Sequence, residues 1–361
     1  MQKERIMANA INLIPGMDAV KLNLLLKQFG SFARIWEQKR SALGIMCEKK
    51  MDKGQILKAF DNIDPEKSFQ KLADLGIETT IIAEATYPQQ LKEIPNPPPA
   101  IYTRGSIKAL SGPGLAVVGT RKMSLYGKQA VLEIVPGLSA TGLSIISGMA
   151  FGVDSEALNS ALAAGIVPIA VLASPLDDDS LSPKSNFNLA KKIIENGCVV
   201  SEYALGRPVY KQNFLDRNRI ISGLSLGVLV IEAPLVSGAL STATFALEQN
   251  RLVLAVPGSI FSEVSAGCLK LIKAGAATIT GLSDIFKELN LDLMPAKDTA
   301  KFNGSDIERS VLGSLGRTPK EMDQIVRDTK LKPELVMQTL TMLEIKGMVS
   351  RIGNNHYVKG I

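Results

Sequence analysis

The stretch Leu115-Ala-Val-Val-Gly-Thr-Arg121 is a short aliphatic run that ends in a glycine, a threonine and an arginine, and a helical pattern begins at Ser124. This arrangement is typical of a buried parallel strand that runs into a helix. The turn would offer free backbone N–H groups, a glycine that permits close approach and a bidentate guanidinium, which together favour an anion. We therefore expect a phosphate-binding turn at Gly119, Thr120 and Arg121, with a simple tight turn as the alternative.

The same alternation of aliphatic run and helical segment repeats along the centre of the chain. The further runs are LSIISG (143–148), IVPIAVLAS (166–174), CVVSEY (198–203), LGVLVIEAP (226–234) and RLVLAVPG (251–258). Buried parallel strands joined by crossover helices produce this pattern, because both faces of the sheet are then covered. The sequence thus predicts an α/β fold with a doubly wound parallel sheet over about residues 112–290.

The ends of the predicted strands are rich in glycine and in polar side chains. In a doubly wound sheet, ligands bind outside the carboxyl ends of the strands. Those ends fall at residues 119–121, 147–148, 201–202, 232–241 and 257–258. The sequence therefore predicts a binding site along one edge of the sheet.

A basic strip follows the run that ends at Tyr203. Its sequence, KQNFLDRNR (211–219), brings Lys211, Arg217 and Arg219 close to Phe214. Such a strip suits a single-stranded nucleic acid, because cations can meet phosphates while the aromatic ring stacks on a base. A solvated basic loop before a helix is the alternative, since charge runs usually face water.

A second glycine-containing turn, SGALST (237–242), precedes the helical segment that ends near Asn250. Amide-rich turns before helices bind anions, so DNA contact through Ser237, Gly238 and Thr242 is one interpretation. The other is an ordinary capped helix start with Ser241 as the N-cap residue.

The central part of the chain resembles a known family. The blocks VGTRKMSLYGKQA (118–130), SGMAFGVDSEAL (147–158), SEYALGRPVYKQNFLDRNRIISGLS (201–225) and VIEAPLVSGALSTATFALEQNR (230–251) closely resemble the DNA-processing protein A family, DprA or Smf. The resemblance implies an extended Rossmann-like fold that binds and protects single-stranded DNA, usually as a homodimer. It also implies loading of the RecA recombinase during natural transformation and homologous recombination.

Carried over residue by residue, the resemblance implies DNA contacts along the predicted edge of the sheet. The expected positions are Gly119, Thr120, Arg121, Ser147, Gly148, Lys211, Asn213, Phe214, Arg217, Asn218, Arg219, Ser237, Gly238 and Thr242. Lys211 and Phe214 are the foremost candidates.

Two residues depart from the family pattern. Phe151 stands where relatives commonly carry arginine, and Leu158 stands where they commonly carry histidine, so one charge and one polar group are missing from the edge. The segment 173–186 keeps only Pro183 and Asn186 of the family's usual features there. We expect Phe151 to be a packed core residue, with stacking on a base as the alternative.

Smaller domains are predicted on both sides of the sheet. Residues 1–65 read as helices separated by Pro-Gly and Gly turns, which resembles a SAM-like or helix-hairpin-helix domain. Residues 66–290 form the extended Rossmann-like domain, and 291–303 a polar linker. Residues 304–361 show three amphipathic helices and a hairpin with a Gly-Asn-Asn turn, the pattern of a winged helix.

Composition is compatible with this interpretation. The chain has 361 residues, enough for two or three domains, and a net charge of +6, which favours a polyanionic partner. Its three cysteines are far apart and odd in number, so neither a disulfide framework nor a metal site is expected. The amino end has no apolar core of signal-peptide length and no apolar run reaches about 18 residues, so we expect a cytoplasmic protein without a membrane segment. We also expect no cofactor.

Two other classes of protein compete with a DNA-binding protein. A Rossmann-like nucleotide phosphoribohydrolase would use Glu248 as its catalytic carboxylate, but this residue falls deep in a predicted helix. A dinucleotide-binding module would require G-x-G-x-x-G after the first strand, where the chain has GTRKMSLYG. The sequence therefore favours a protein that is not an enzyme.

Overall fold

The structure is a computed structural model that describes residues 1–46, 53–291, 304–316, 319–351 and 355–359. The chain divides into two compact units, Met1–Leu291 and Asp292–Ile361. Apart from Leu291, the predicted linker at 291–303 lies outside the described residues.

Helices and strands are numbered here in chain order. The helices are α1 Gln2–Asn12, α2 Ala19–Phe29, α3 Phe32–Glu37, α4 Lys39–Met46, α5 Lys53–Asn62, α6 Pro65–Asp74, α7 Gln89–Lys92, α8 Leu125–Gly137, α9 Val153–Ala163, α10 Phe187–Asn196, α11 Lys211–Asp216, α12 Asn218–Gly223, α13 Gly238–Glu248, α14 Ala266–Lys273, α15 Leu282–Glu288, α16 Asp306–Ser314, α17 Met322–Thr329 and α18 Pro333–Ile345. The strands are β1 Glu78–Ile81, β2 Ala100–Gly105, β3 Gly114–Val118, β4 Ser144–Ser147, β5 Pro168–Val171, β6 Cys198–Ser201, β7 Gly227–Val230, β8 Leu252–Ala255, β9 Ala277–Thr278, β10 Lys320–Glu321, β11 Val349–Arg351 and β12 His356–Lys359.

The first unit is organised by a sheet whose described strands run in the order β1-β2-β6-β5-β4-β3-β7-β8-β9. Strands β3 to β9 pair in parallel, whereas β2 is antiparallel to both β1 and β6. The chain moves outward from β3 in one direction through β4, β5 and β6 and then returns to the other side of β3 as β7. The boundary between β3 and β7 is therefore the topological switch point of the sheet, where ligands of such folds bind.

Both faces of this sheet are buried, as the aliphatic runs predict. In β3, Leu115 and Val117 belong to one hydrophobic core, and Ala116 and Val118 belong to the core on the opposite face. Successive side chains of a strand point to opposite faces, so only a strand covered on both sides keeps apolar residues at every position. The predicted doubly wound sheet is confirmed.

The amino-terminal helices join the same compact unit. Asp18 caps α2 by accepting a hydrogen bond from the Lys21 amide at 2.8 Å, and Gly30 ends that helix with a φ of 80°. The core of this bundle includes Ile81 from β1 and Ala100 from β2, so helices and sheet share apolar contacts. The predicted division between residues 65 and 66 thus lies inside one compact unit and stays a prediction.

The second unit has the three helices and the small sheet of a winged helix. Strands β10, β12 and β11 pair antiparallel in that order. Ser305 begins α16 with a capping box, in which its hydroxyl accepts from the Glu308 amide and Glu308 accepts from the Ser305 amide. Val311, Ile325 and Leu340, one from each helix, pack with Tyr357 of the sheet. Residues 353 and 354 of the predicted Gly-Asn-Asn turn lie outside the described residues.

Across the described ranges, no helix combines the length and the apolar character needed to span a lipid bilayer.

Candidate nucleic-acid interface

A cavity of about 400 Å³ opens at the switch point of the sheet. Three elements form its walls: the turn after β3, the basic strip, and the start of α13. The predicted residues that line it are Gly119, Thr120, Arg121, Lys211, Phe214, Arg217, Asn218, Ser237, Gly238 and Thr242. Segments separated by more than 100 positions in the chain therefore meet at the edge where the topology places a ligand.

The turn after β3 is held by Glu232, the buried residue that follows β7. The Thr120 amide donates to the Glu232 carbonyl at 2.7 Å, and Ser124 donates to the Glu232 carboxylate from its amide at 2.9 Å and its hydroxyl at 2.5 Å. The Lys122 amide donates to the Thr120 hydroxyl at 3.2 Å. Three amides of this segment, those of Thr120, Lys122 and Ser124, are thus used inside the protein, whereas the Arg121 side chain is exposed.

Gly119 is required by packing. A Cβ at this position would lie 2.6 Å from Val153 Cγ2 and 2.8 Å from the Glu232 carbonyl oxygen, distances at which the neighbours would have to move. The absence of a side chain therefore lets the turn pack against the start of α9. This contact provides a reason for the glycine that does not depend on a phosphate.

Arg217 is buried beneath the cavity, with 6% of its surface exposed. Its Nη1 donates to the Gly148 carbonyl at 2.8 Å and to the Val171 carbonyl. Its guanidinium occupies the space that a side chain at Gly148 would need, since a Cβ there would lie 2.6 Å from Nη2. Arg217 thus joins the ends of β4 and β5, and its charge is withdrawn from the surface.

Asp154, in the first turn of α9, is the buried acidic counterpart of Arg217. Burial raises the pKa of Asp154, and the charge of Arg217 acts against that rise by favouring the carboxylate. Burial lowers the pKa of Arg217 to about 10, so the guanidinium stays charged at neutral pH. The Gly148 amide also donates to Asp154 Oδ2 at 3.2 Å. Asp154 and Arg217 both line the cavity and both hydrogen-bond to the backbone of Gly148.

Lys211 and Phe214 lie on the same face of α11, because residues three apart in a helix are neighbours. Lys211 is exposed and Phe214 is half-buried. The Arg121 guanidinium carbon lies 6.0 Å from the centroid of the Phe214 ring, within cation–π range. Two exposed cations and a half-buried aromatic ring thus meet at the cavity.

The start of α13 closes the other side. Ser237 caps this helix, since its hydroxyl accepts from the Ala239 amide at 3.3 Å. The expectation that Ser241 is the N-cap is wrong, because the helix begins one turn earlier, at Gly238. Asn218 Nδ2 donates to the Gly238 carbonyl at 3.1 Å and to Ser241 Oγ at 2.9 Å, and so joins the basic strip to this helix.

Comparison with known proteins assigns the chain to a family. The model of DNA recombination-mediator protein A matches residues 78–290, which is more than half of the chain. The chain belongs to this family. The family's winged-helix model, described as the DprA winged helix domain, matches residues 295–355. The family resemblance predicted from the sequence blocks is therefore confirmed.

Relatives and solved structures extend over most of the chain. The protein Smf of Synechocystis is 31% identical over 94% of both chains, and the DNA processing protein DprA of Bacillus subtilis is 39% identical over 59% of this chain and 72% of its own. The crystal structure of DprA from Streptococcus pneumoniae covers 78% of this chain and 97% of its own with a TM-score of 0.68 at 32% identity. A DprA structure from Helicobacter pylori, described for its single-stranded DNA binding mode, covers 59% of this chain and 95% of its own with a TM-score of 0.53 at 30% identity.

The basic strip of this DprA family member is split between two sides of the protein. It folds into the short helices α11 and α12, so Lys211, Phe214 and Asn218 face the switch-point cavity. Asn213 and Arg219 instead line a separate cavity beside the amino-terminal helices. There Arg219 is paired with Glu202 through a short hydrogen-bonded contact. Because successive residues of a helix are about 100° apart around its axis, residues that are adjacent in the sequence of the strip face two different cavities in the fold.

Ser147 and Gly148, two other predicted residues of this DprA family member, are both buried. The Ser147 hydroxyl donates to the Val117 carbonyl at 2.6 Å. Gly148 packs against Arg217 and, with Phe151, lines a neighbouring cavity. Conversely, Phe151 is 49% exposed, so the expectation of a packed core residue is wrong. It lies in the turn between β4 and α9, which keeps it off the core, whereas Leu158 is fully buried within α9.

The carboxylate of the hydrolase alternative lies away from the cavity. Glu248 is exposed and is the last residue of α13, whereas the first residues of this helix line the cavity. Eleven helical residues separate these ends by about 15 Å, at 1.5 Å per residue.

The sequence analysis did not select Asp154, whose signal in the sequence is an acidic residue in the first turn of α9. Within the described residues, no group of three or more His, Cys, Asp or Glu is placed to hold a metal ion.

Proposed function

We propose that this protein binds single-stranded DNA along the carboxyl edge of its sheet, with Lys211 and Arg121 on phosphates and Phe214 on a base. The observation that carries this proposal is the meeting of exposed cations and an accessible aromatic ring at the switch point. Cationic grooves with stacking side chains are the usual means of binding single strands without strong sequence preference. The DprA relative described for its single-stranded DNA binding mode supports the same function here.

We further propose that the protein acts as a homodimer in the cytoplasm and loads RecA onto bound DNA in transformation or recombination, without an enzymatic activity of its own. This step rests on membership of the family. Sedimentation at several protein concentrations tests the dimer. Assembly of RecA on single-stranded DNA, measured with and without this protein, tests the loading.

Replacing Lys211 with alanine is expected to flatten the dependence of binding on salt. Each phosphate neutralised by a protein cation contributes about 0.7 to the slope of log affinity against log salt for single strands. The slope should therefore fall by about 0.7 in this variant, measured by titrating labelled oligothymidine at several salt concentrations. Lys192→Ala removes another exposed lysine, from α10, and is the matched control. An unchanged slope for Lys211→Ala would remove Lys211 from the interface.

Deleting residues 303–361 is expected to leave most single-strand binding intact, because the proposed groove lies entirely within Met1–Leu291.

Single-stranded DNA should also bind more tightly than a duplex of equal length, since paired bases cannot stack on Phe214. Both comparisons use the same labelled oligonucleotide, free or annealed. If the full-length protein binds duplex and single-stranded DNA equally well, and the truncated protein binds neither, DNA binding is assigned to the winged helix instead.

A further inference from the structure

A second cavity, of about 390 Å³, shares part of its lining with the first. The two share Arg121, Ala150, Lys211, Phe214 and Arg217 and therefore form neighbouring parts of one groove. The residues that line only the second cavity are Gly148, Phe151, Ala173, Ser182 and Pro183. Its volume lies within the range of sites for small organic groups, about 300–1,000 Å³.

The backbone around Phe151 is held from several directions. The Ser155 amide donates to the Ala150 carbonyl at 3.1 Å, and Asn186 Nδ2 donates to the Met149 carbonyl at 2.8 Å. Gly152 has a φ of 76° and packs against Thr120, whose carbonyl oxygen would lie 2.3 Å from a Cβ at position 152. Phe151 is thus presented by a fixed turn while about half of its surface stays open to solvent.

The Asn186 contact also ties together the two walls of this cavity. Pro183 and Asn186 belong to the segment between β5 and α10, and Phe151 belongs to the turn between β4 and α9. The resulting cavity has aromatic and prolyl surface on its walls and the exposed cations Lys211 and Arg121 at the rim shared with the first cavity. An apolar slot beside cations matches the two parts of a nucleotide, a flat base and an anionic phosphate.

A single exposed phenylalanine on a protein surface needs no functional explanation. Phe151 differs because it lines the same cavity as Phe214. Preorganisation of its turn would reduce the entropy lost when a base is bound.

We propose that the second cavity is a further base-binding subsite, in which an unpaired base of the same strand stacks on Phe151 next to the base on Phe214. This inference rests on the proposed binding of single-stranded DNA. In this proposal the Phe151 ring stacks on a base. Stacking would then replace part of the electrostatic attraction that an arginine at this position would supply.

The test compares oligothymidine with an oligomer of abasic residues of equal length, which offers phosphates without bases. Phe151→Ala is expected to weaken oligothymidine binding about 5- to 140-fold without changing the salt slope. Binding of the abasic oligomer should change by less than about twofold, because no stacking is lost. Phe151→Tyr, which keeps an aromatic ring, should bind oligothymidine like the wild type. Melting curves for each variant show whether the fold is retained.

Phe151→Arg provides a second measurement that does not depend on the alanine variant. It should reduce the preference for oligothymidine over the abasic oligomer and steepen the salt slope by about 0.7 through a new phosphate contact. Oligothymidine binding that is unchanged in Phe151→Ala, or weakened equally for both oligomers, overturns the subsite. If Phe214→Ala still lowers the preference for bases in that case, the proposed function stands. A wild-type protein that does not distinguish the two oligomers overturns both.

Discussion

Replacing Arg217 with alanine is expected to lower the free energy of unfolding by about 3–5 kcal/mol. The substitution removes the donor to the buried carbonyls of Gly148 and Val171. It also leaves the buried Asp154 without the opposite charge that favours its ionised form. Denaturant titration followed by circular dichroism measures the change.

Arg121→Ala is the matched control, because it makes the same chemical change at an exposed position in the same groove. We expect its unfolding free energy to stay within about 0.5 kcal/mol of the wild type, while its DNA affinity falls. The two arginines should therefore separate stability from binding. If Arg217→Ala is as stable as Arg121→Ala, the buried guanidinium does not hold the strand ends together.

Replacing Phe214 with alanine is expected to weaken single-stranded DNA binding by about 1–3 kcal/mol at every salt concentration. Stacking on a base does not release counterions, so the slope of log affinity against log salt should be unchanged. The ring is half-buried and lies against the Arg121 guanidinium, so the variant also loses one cation–π contact. Titration of labelled oligothymidine across a salt series gives both quantities.

Phe261→Ala is the control for this variant. Phe261 is 91% exposed and is absent from the linings of both groove cavities, so the same substitution there should leave affinity within about 0.5 kcal/mol of the wild type. Equal losses in both variants would indicate a general effect of surface aromatic residues, and Phe214 would lose its assigned role.

The class of fold was readable from the sequence because burial on both faces of a parallel sheet leaves a local signature. Every position of β3, from Gly114 to Val118, is buried, and the printed run of aliphatic residues follows directly from that condition. Ser124 as a helix cap is also a local feature, since its hydroxyl reaches the Gly127 amide at 3.1 Å within the same turn. Short-range chemistry of this kind is present in the sequence itself.

The fates of individual cations depended on neighbours that are distant in the chain. Lys211, Arg217 and Arg219 look equivalent in the sequence, yet one is exposed, one is buried over Gly148 and one is paired with Glu202. Their side chains point in different directions around the helices, and the tertiary structure determines which residues each side chain contacts.

The sequence by itself determined the doubly wound sheet, the edge at which we propose that DNA binds and the family, because these follow from local periodicity and from contiguous motifs. Only the tertiary structure decided that Phe151 is open to a cavity and that Arg217 is structural. Exposure of a side chain depends on which segments pack over it, and here those segments, around Pro183 and Asp154, come from other loops and helices.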